Sequence, residues 1–140
     1  MTRLLGIDLG TVRTGVAVAS TAVAQPLVVI EESDDARILE RLAAVAIEEG
    51  ATEIVFGIPV ALDASEGRAA TRARLMANRL EAKTGLPVHL WDERLTTVQA
   101  ERAMVGQGVR RKKRRASIDK IAATFLLQNY LDAQTAKGRS

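Results

Sequence analysis

The sequence predicts an α/β domain built on a mixed five-stranded sheet with helices on both faces. Three observations carry this. Apolar runs at 3–9, 15–20 and 26–30 lie close together near the N-terminus, joined by turns too short for a helix. Two later apolar runs, 54–58 and 88–91, each follow a segment whose apolar residues fall at helical spacing. A chain of 140 residues suits one domain around a single core. The order reads β-β-β-α-β-α-β-α-α. This is an antiparallel meander followed by strands reached through helices, and so parallel to a neighbour.

The first strand runs into Gly6-Ile7-Asp8-Leu9-Gly10-Thr11-Val12-Arg13-Thr14-Gly15. One aspartate is delivered by an apolar run into a glycine-flanked turn. A carboxylate at the end of a buried strand is costly for structure alone. A metal ion or a phosphate-rich ligand would account for Asp8, and Gly10 and Gly15 would let such a ligand approach the backbone. An Asp8 that accepts backbone N–H bonds in the turn accounts for it as well.

The third strand, 26–30, is rich in β-branched residues. Ser33 is the expected N-cap of the first helix, with Asp34 and Asp35 in the first turn where the helix dipole favours them. Ile38, Leu42, Val45 and Ala46 follow at helical spacing and Gly50 ends the helix. The loop 59–67, at the C-terminal end of the fourth strand, leads into a helix over 66–84. Leu75, Met76 and Leu80 are expected to face the core, and Gly85 and Pro87 stop the helix. The fifth strand ends in Asp92-Glu93-Arg94. Thr96 with Gln99 forms a capping-box pattern for a helix that ends near 106–108. Six consecutive basic residues follow: Arg110, Arg111, Lys112, Lys113, Arg114 and Arg115. Ser117 is the expected cap of a last helix with Asp119 in its first turn and Ile118, Ile121, Ala122 and Phe125 as its apolar stripe. The domain is expected to occupy 1–133, with 134–140 a flexible tail.

Composition narrows the chemistry. There are no cysteines and one histidine, His89, so a metal site would rest on oxygen ligands, favouring Mg²⁺ or Mn²⁺ over Zn²⁺. His89 reads as a half-buried strand residue rather than a ligand, and Trp91 as core or a surface plug. No apolar run approaches a membrane span and no signal-peptide pattern opens the chain, so the expected compartment is the cytoplasm, with no membrane partner. The net charge is +3 and the excess is concentrated late in the chain, which favours a polyanionic partner. Phe56, Trp91, Phe125 and Tyr130 are the only aromatics, fewer than a base-stacking single-strand binder would carry. Asp8-Leu9-Gly10-Thr11 also fits the first phosphate loop of two-domain ATPases, but the chain lacks the second domain that would clamp a nucleotide.

Ligands of open α/β sheets sit at the carboxyl ends of the parallel strands. That rim should collect Asp8, then Asp63, Ser65 and Glu66 of the loop, then Asp92 and Glu93. Asp92 and Glu93 point to opposite faces if the strand persists, so only one can face Asp8. Asp119 alone reads as a first-turn acid favoured by the helix dipole. Ser65 reads equally as a helix N-cap and as part of a phosphate cradle. Arg13 suits a phosphate by its planar fork or is a solvated turn residue. The run 110–115 is a solvated segment or a contact that tracks a nucleic-acid backbone, and its place just before the helix that carries Asp119 favours the second.

Four stretches together resemble one family. They are Gly-Ile-Asp-Leu-Gly-Thr-Val-Arg-Thr-Gly (6–15), Gly-Ile-Pro-Val-x-x-Asp-x-Ser-Glu-Gly (57–67), Asp-Glu-Arg-Leu-Thr-Thr (92–97) and Asp-Lys-Ile-Ala-Ala-x-x-x-Leu-Gln-x-Tyr-Leu (119–131). In order and spacing they are similar to the YqgF/RuvX family, and the resemblance covers essentially the whole chain. That family has an RNase H-like fold and is related to the RuvC Holliday junction resolvases. Its members are described as junction resolvases or as nucleases that process the 5′ end of pre-16S rRNA.

The resemblance implies a metal-dependent phosphodiesterase in which Asp8, Glu93 and Asp119 hold Mg²⁺ or Mn²⁺, in a two-ion arrangement. Glu93 rather than Asp92 is the strand-five ligand by the family match. Arg13, Ser65, Arg94 and the run 110–115 are the expected nucleic-acid contacts. The expected substrate is structured RNA, the 5′ flank of pre-16S rRNA, with branched DNA as the alternative. A junction resolvase cuts two symmetric strands and would call for a homodimer. A non-catalytic binding module would keep the fold with an incomplete acidic trio.

Overall fold

The computed structural model describes residues 1–60, 67–93 and 111–138, the last segment with side chains for 121–136. Five strands form one sheet: β1 (Leu4–Asp8), β2 (Arg13–Ala19), β3 (Gln25–Glu31), β4 (Glu53–Ile58) and β5 (Val88–Asp92), in the order β3-β2-β1-β4-β5. The first three strands pair antiparallel, as short turns between them require. β4 is parallel to β1 and β5 parallel to β4. Each is reached through a helix, α1 (Asp35–Glu49) and α2 (Arg68–Thr84). The helix expected over 96–106 lies outside the described residues.

Side-chain alternation divides the sheet into two cores. On one face Leu5, Ile7, Val16, Val18, Ile54, Phe56 and Ile58 pack against α1 and α2. On the other, Leu4, Ala17, Ala19 and Val55 pack against Ala123, Leu126, Leu127 and Tyr130 of α3 (Arg111–Gly138).

Several helix details depart from the sequence reading. Asp34, not Ser33, caps α1, its carboxylate accepting the Arg37 N–H at 3.0 Å. Ser33 N–H instead donates to Glu32 Oε2. Gly50 ends α1 and Gly85 ends α2 in the left-handed region, with φ of 65° and 74°. The N-cap of α2 is Gly67 rather than the expected Ser65, and Leu75 is exposed. The buried stripe of α2 runs through Ala70, Ala73, Met76, Ala77 and Leu80, and Leu75 lies about 100° round the helix from Met76.

α3 departs most. It starts at Arg111 rather than at Ser117 and takes in most of the basic run. Arg, Lys and Ala are strong helix formers and no Gly or Pro interrupts 111–117, so nothing forces a start at the serine. Its buried positions are Ala122, Ala123, Leu126, Leu127 and Tyr130. Ile121 and Phe125 are half-buried at the flank of that stripe. The helix continues to Gly138, through most of the stretch expected as a tail.

α3 sits very close to the sheet. A Cβ added at Gly6 would lie 2.7 Å from Leu127 Cβ and 3.2 Å from Ala123 O. Glycine in the middle of β1 is therefore what lets the helix backbone descend onto the strand.

Candidate active site: a carboxylate pair bridging three strands

Asp8 is the last residue of β1, and Glu93 directly follows β5. Their strands are not neighbours, because β4 lies between them. The two carboxyl groups nevertheless share a hydrogen bond. Backbone pairing holds Glu93 in place, with its N–H donating to Ile58 O at 3.1 Å. Alternation then assigns the faces. Trp91 and Glu93 lie toward α3, whereas Asp92 between them is exposed. The strand-five acid that meets Asp8 is thus Glu93.

Gly57 makes this reach possible. It pairs with Trp91 in the β4–β5 register. A Cβ built on Gly57 would lie 2.7 Å from both Cγ and Cδ of Glu93, and would also run into Leu126 Cδ1. The Glu93 side chain lies across the bare α-carbon of β4 on its way to β1. Reading the sequence placed Gly57 in a strand but assigned it no part in the site, because its contact with Glu93 depends on strand register.

The electrostatics follow from burial. Glu93 is buried and its carboxyl is pushed up to about 10, first by loss of solvent, then by the hydrogen bond to Asp8 and its charge, and then by the charge of Asp92. Burial also raises Asp8, and the hydrogen bond from Glu93 partly offsets that. Glu93 therefore keeps its proton at neutral pH, within hydrogen-bonding reach of Asp8. Two oxygen-donor side chains from separate strands converge here, with one proton standing where a cation would stand.

The third acid of the expected trio lies on α3. Gln128 bonds the β2–β3 turn at Ala22 O and Ala24 N, at the end of the sheet away from Asp8. Ala123 and Leu127 pack on Gly6, in the middle of β1. The earlier turns of α3 consequently run toward the end of the sheet that carries Asp8. Asp119 is on that part of α3, one turn before Ala123, and its side chain lies outside the described residues. It comes eight residues after Arg111, well past the first turn, so the helix dipole gives it no particular support. Among the described residues no three acidic or histidine side chains form a metal-sized cluster.

Of the other expected site residues, few lie within the described part of the chain. Arg13 starts β2 on the same sheet face as Gly15, which pairs with Asp8. Its Nε lies 3.6 Å from Glu31 Oε1 across the β2–β3 ladder. Asp63, Ser65, Glu66, Arg94 and Arg110 lie outside the described residues. Residues 111–115 form the first turns of α3. His89 is no part of the site: its Nε2 contacts Glu53 Oε1 at 2.8 Å and its ring lies 5.5 Å from that of Tyr130. Trp91 is half-buried against the α3-side core, edge-on to Tyr130. A polar anchor that the sequence did not reveal is Arg72 of α2. It donates to Gly10 O at 2.9 Å and to Asp35 Oδ1 at 2.8 and 3.2 Å, and so ties the turn after Asp8 to both helices of that face.

The family model described as "RuvX: Holliday junction resolvase" matches residues 2–133. The chain belongs to the RuvX family. A RuvX relative from Leuconostoc citreum, named "Putative pre-16S rRNA nuclease", is 46% identical over 136 residues, covering 94% of this chain and 95% of the relative. One from Lactococcus lactis subsp. cremoris, with the same name, is 43% identical over 139 residues and covers 96% and 97%. A third, from Myxococcus xanthus, is 42% identical over 133 residues and covers 94% and 88%.

Solved structures give the fold. T. thermophilus RuvC in complex with a Holliday junction substrate matches with a TM-score of 0.63 at 18% identity, covering 97% of each chain. Fowlpox virus resolvase in complex with Holliday junction DNA matches with a TM-score of 0.57 at 8% identity, covering 95% of this chain and 99% of that one. The RuvX chain has the RNase H-like fold of RuvC.

Proposed function

We propose that this chain is a divalent-metal-dependent endonuclease that hydrolyses phosphodiester bonds in structured nucleic acid, acting in the cytoplasm on the 5′ flank of pre-16S rRNA. The observation that carries the reading is the Asp8–Glu93 pair, a half-buried and a buried carboxyl group brought into contact across an intervening strand. Membership of the RuvX family and the names of the three relatives point to the same chemistry and to the RNA.

The donor set fits Mg²⁺ or Mn²⁺. It consists of oxygen ligands at the carboxyl ends of β1 and β5, and a cation would have to displace the proton that Glu93 holds, so binding should strengthen as pH rises. Asp8 and Glu93 would hold the metal, and Asp119 is the third ligand in this reading. When bound, divalent ions supply an activated water and stabilisation of the leaving 3′-oxygen. Asp8 and Glu93 would release the proton between them to solvent, and their backbones, fixed by β1 and by the bond to Ile58 O, hold the carboxyl groups in place. A Cβ at Gly10 would run into the Arg13 carbonyl, and Gly15 is buried in β2, so the two glycines close the turn beside Asp8 onto its own backbone rather than opening it to a phosphate. Arg13, Ser65 and Arg94 are assigned to phosphate contacts, and residues 110–115 to the nucleic-acid backbone. Such contacts position a substrate without reading its sequence.

The family model's own description favours a second reading, resolution of branched DNA, in which two copies of the chain would act on two strands. The test is a cleavage assay with Mn²⁺ and Mg²⁺ on a structured RNA with the 5′ flank of pre-16S rRNA, a four-way DNA junction, and single-stranded and duplex DNA, with Asp8→Asn in parallel. Cleavage of the RNA alone, lost in the variant, is the expected result. Symmetric nicking of the junction would replace the RNA reading by the second one. Salt-dependent binding with no cleavage of any substrate would overturn the enzyme reading in favour of a binding module.

A further inference from the structure

We propose that Gly57 is a positioning residue, whose missing side chain is the passage by which Glu93 crosses β4 to reach Asp8. The proposal rests on the metal-site reading only for its functional consequence; the passage itself is geometry. β4 separates the strands that carry the two acids, so a side chain from β5 must pass over β4 to meet one from β1. A glutamate is long enough for this only if it lies flat on the strand between. The register puts Gly57 beside Trp91, two positions before Glu93 and on the same face, so Gly57 is the residue to be crossed.

Two neighbours occupy the space where a methyl group would sit. Glu93 presents Cγ and Cδ at 2.7 Å, and Leu126 of α3 presents Cδ1. They differ in what they can concede. The Leu126 methyl is the far end of a flexible side chain and can turn away or be truncated. Glu93 cannot give way and still reach Asp8, because the atoms in conflict are the ones that span the gap. A methyl at 57 would lift the carboxyl off the sheet and away from β1. Gly6, one strand over, admits the α3 backbone, whereas Gly57 admits a carboxylate. Gly6 and Gly57 thus have separate functions.

The experiment separates the two neighbours. In a Leu126→Ala background, which removes the helix-side conflict, Gly57→Ala and Glu93→Ala are combined in a double-mutant cycle. Stability is read by urea unfolding of the full chain without divalent ions. Gly57→Ala is expected to lower stability when Glu93 is present and to have little effect when Glu93 is truncated. An equal cost with and without Glu93 would overturn the proposal, and so would failure of both Gly57→Ala proteins to fold. Folding of only the Glu93-truncated one would support it.

The second measurement is Mn²⁺ titration of Leu126→Ala with and without Gly57→Ala. At least a tenfold rise in the half-saturating concentration is expected from the added methyl, the scale of a lost ligand-orienting contact. Unchanged binding would overturn the positioning role. If the wild-type chain takes up no Mn²⁺ at all, the metal-site reading fails while the stability cycle still decides whether Gly57 is the passage.

Discussion

Glu93 hydrogen-bonds Asp8 from the far side of an intervening strand, and it holds its proton while doing so. The proton has a thermodynamic consequence. Glu93 releases it at about 10 in the folded chain against an ordinary 4.5. Between those values the folded state binds more protons than the unfolded one, so stability falls as pH rises through the window. Below 4.5 both states are protonated and this group adds no pH dependence. Urea unfolding of the metal-free chain should therefore show lower stability at pH 9 than at pH 6, with a flatter profile for Glu93→Gln. Equal profiles would place the shared proton elsewhere.

Asp119 lies too far into α3 to be explained by the helix dipole. Asp119→Asn is expected to weaken Mn²⁺ binding by roughly tenfold or more, and to change the stability of the metal-free chain by no more than about 0.5 kcal/mol. A stability loss with unchanged metal binding would make it a structural residue.

The close approach of α3 at Gly6 predicts a cost that cannot be relieved by trimming. Gly6→Ala should destabilise by about 1–3 kcal/mol, as overpacking does. Leu127→Ala should not rescue it, because the atom in the way is Leu127 Cβ. Urea midpoints of the single and double variants check this, and full rescue would show that the helix is not fixed there.

Arg72 holds the turn after Asp8 through Gly10 O, and α1 through Asp35. Both ends of the ion pair are partly exposed, so Arg72→Ala is expected to cost only about 1 kcal/mol. The local effect should be larger: faster amide exchange in the turn between β1 and β2. Asp35→Asn leaves the Gly10 contact in place and should speed that exchange less.

Much of this architecture is legible in the sequence, since apolar runs and their connections give all five strands and their pairing sense. Gly50 and Gly85 mark helix ends because left-handed backbone there favours glycine. Caps were harder to read: with Glu32, Ser33, Asp34 and Asp35 in a row, several acceptors compete, and the structure uses Asp34. The sequence points to a helix start at Ser117, which looks like a cap, whereas the basic run before it is itself helix-forming and α3 begins at Arg111. Asp8 was legible as an oddity on its own strand. The choice of Glu93 over Asp92 depends on how far β5 keeps its alternation, and the role of Gly57 depends on register between strands. Neither is a property of any local stretch of sequence.

The most direct test of the metal-site account is a Mn²⁺ titration of the full-length chain, wild type beside Asp8→Asn, followed by loss of the free-ion electron paramagnetic resonance signal. The account predicts saturable binding in the wild type, and in the variant a weakening of roughly 10–100-fold or more, the scale lost when even a group that only orients a ligand is removed. Equal binding by both chains, or none by the wild type, would contradict it.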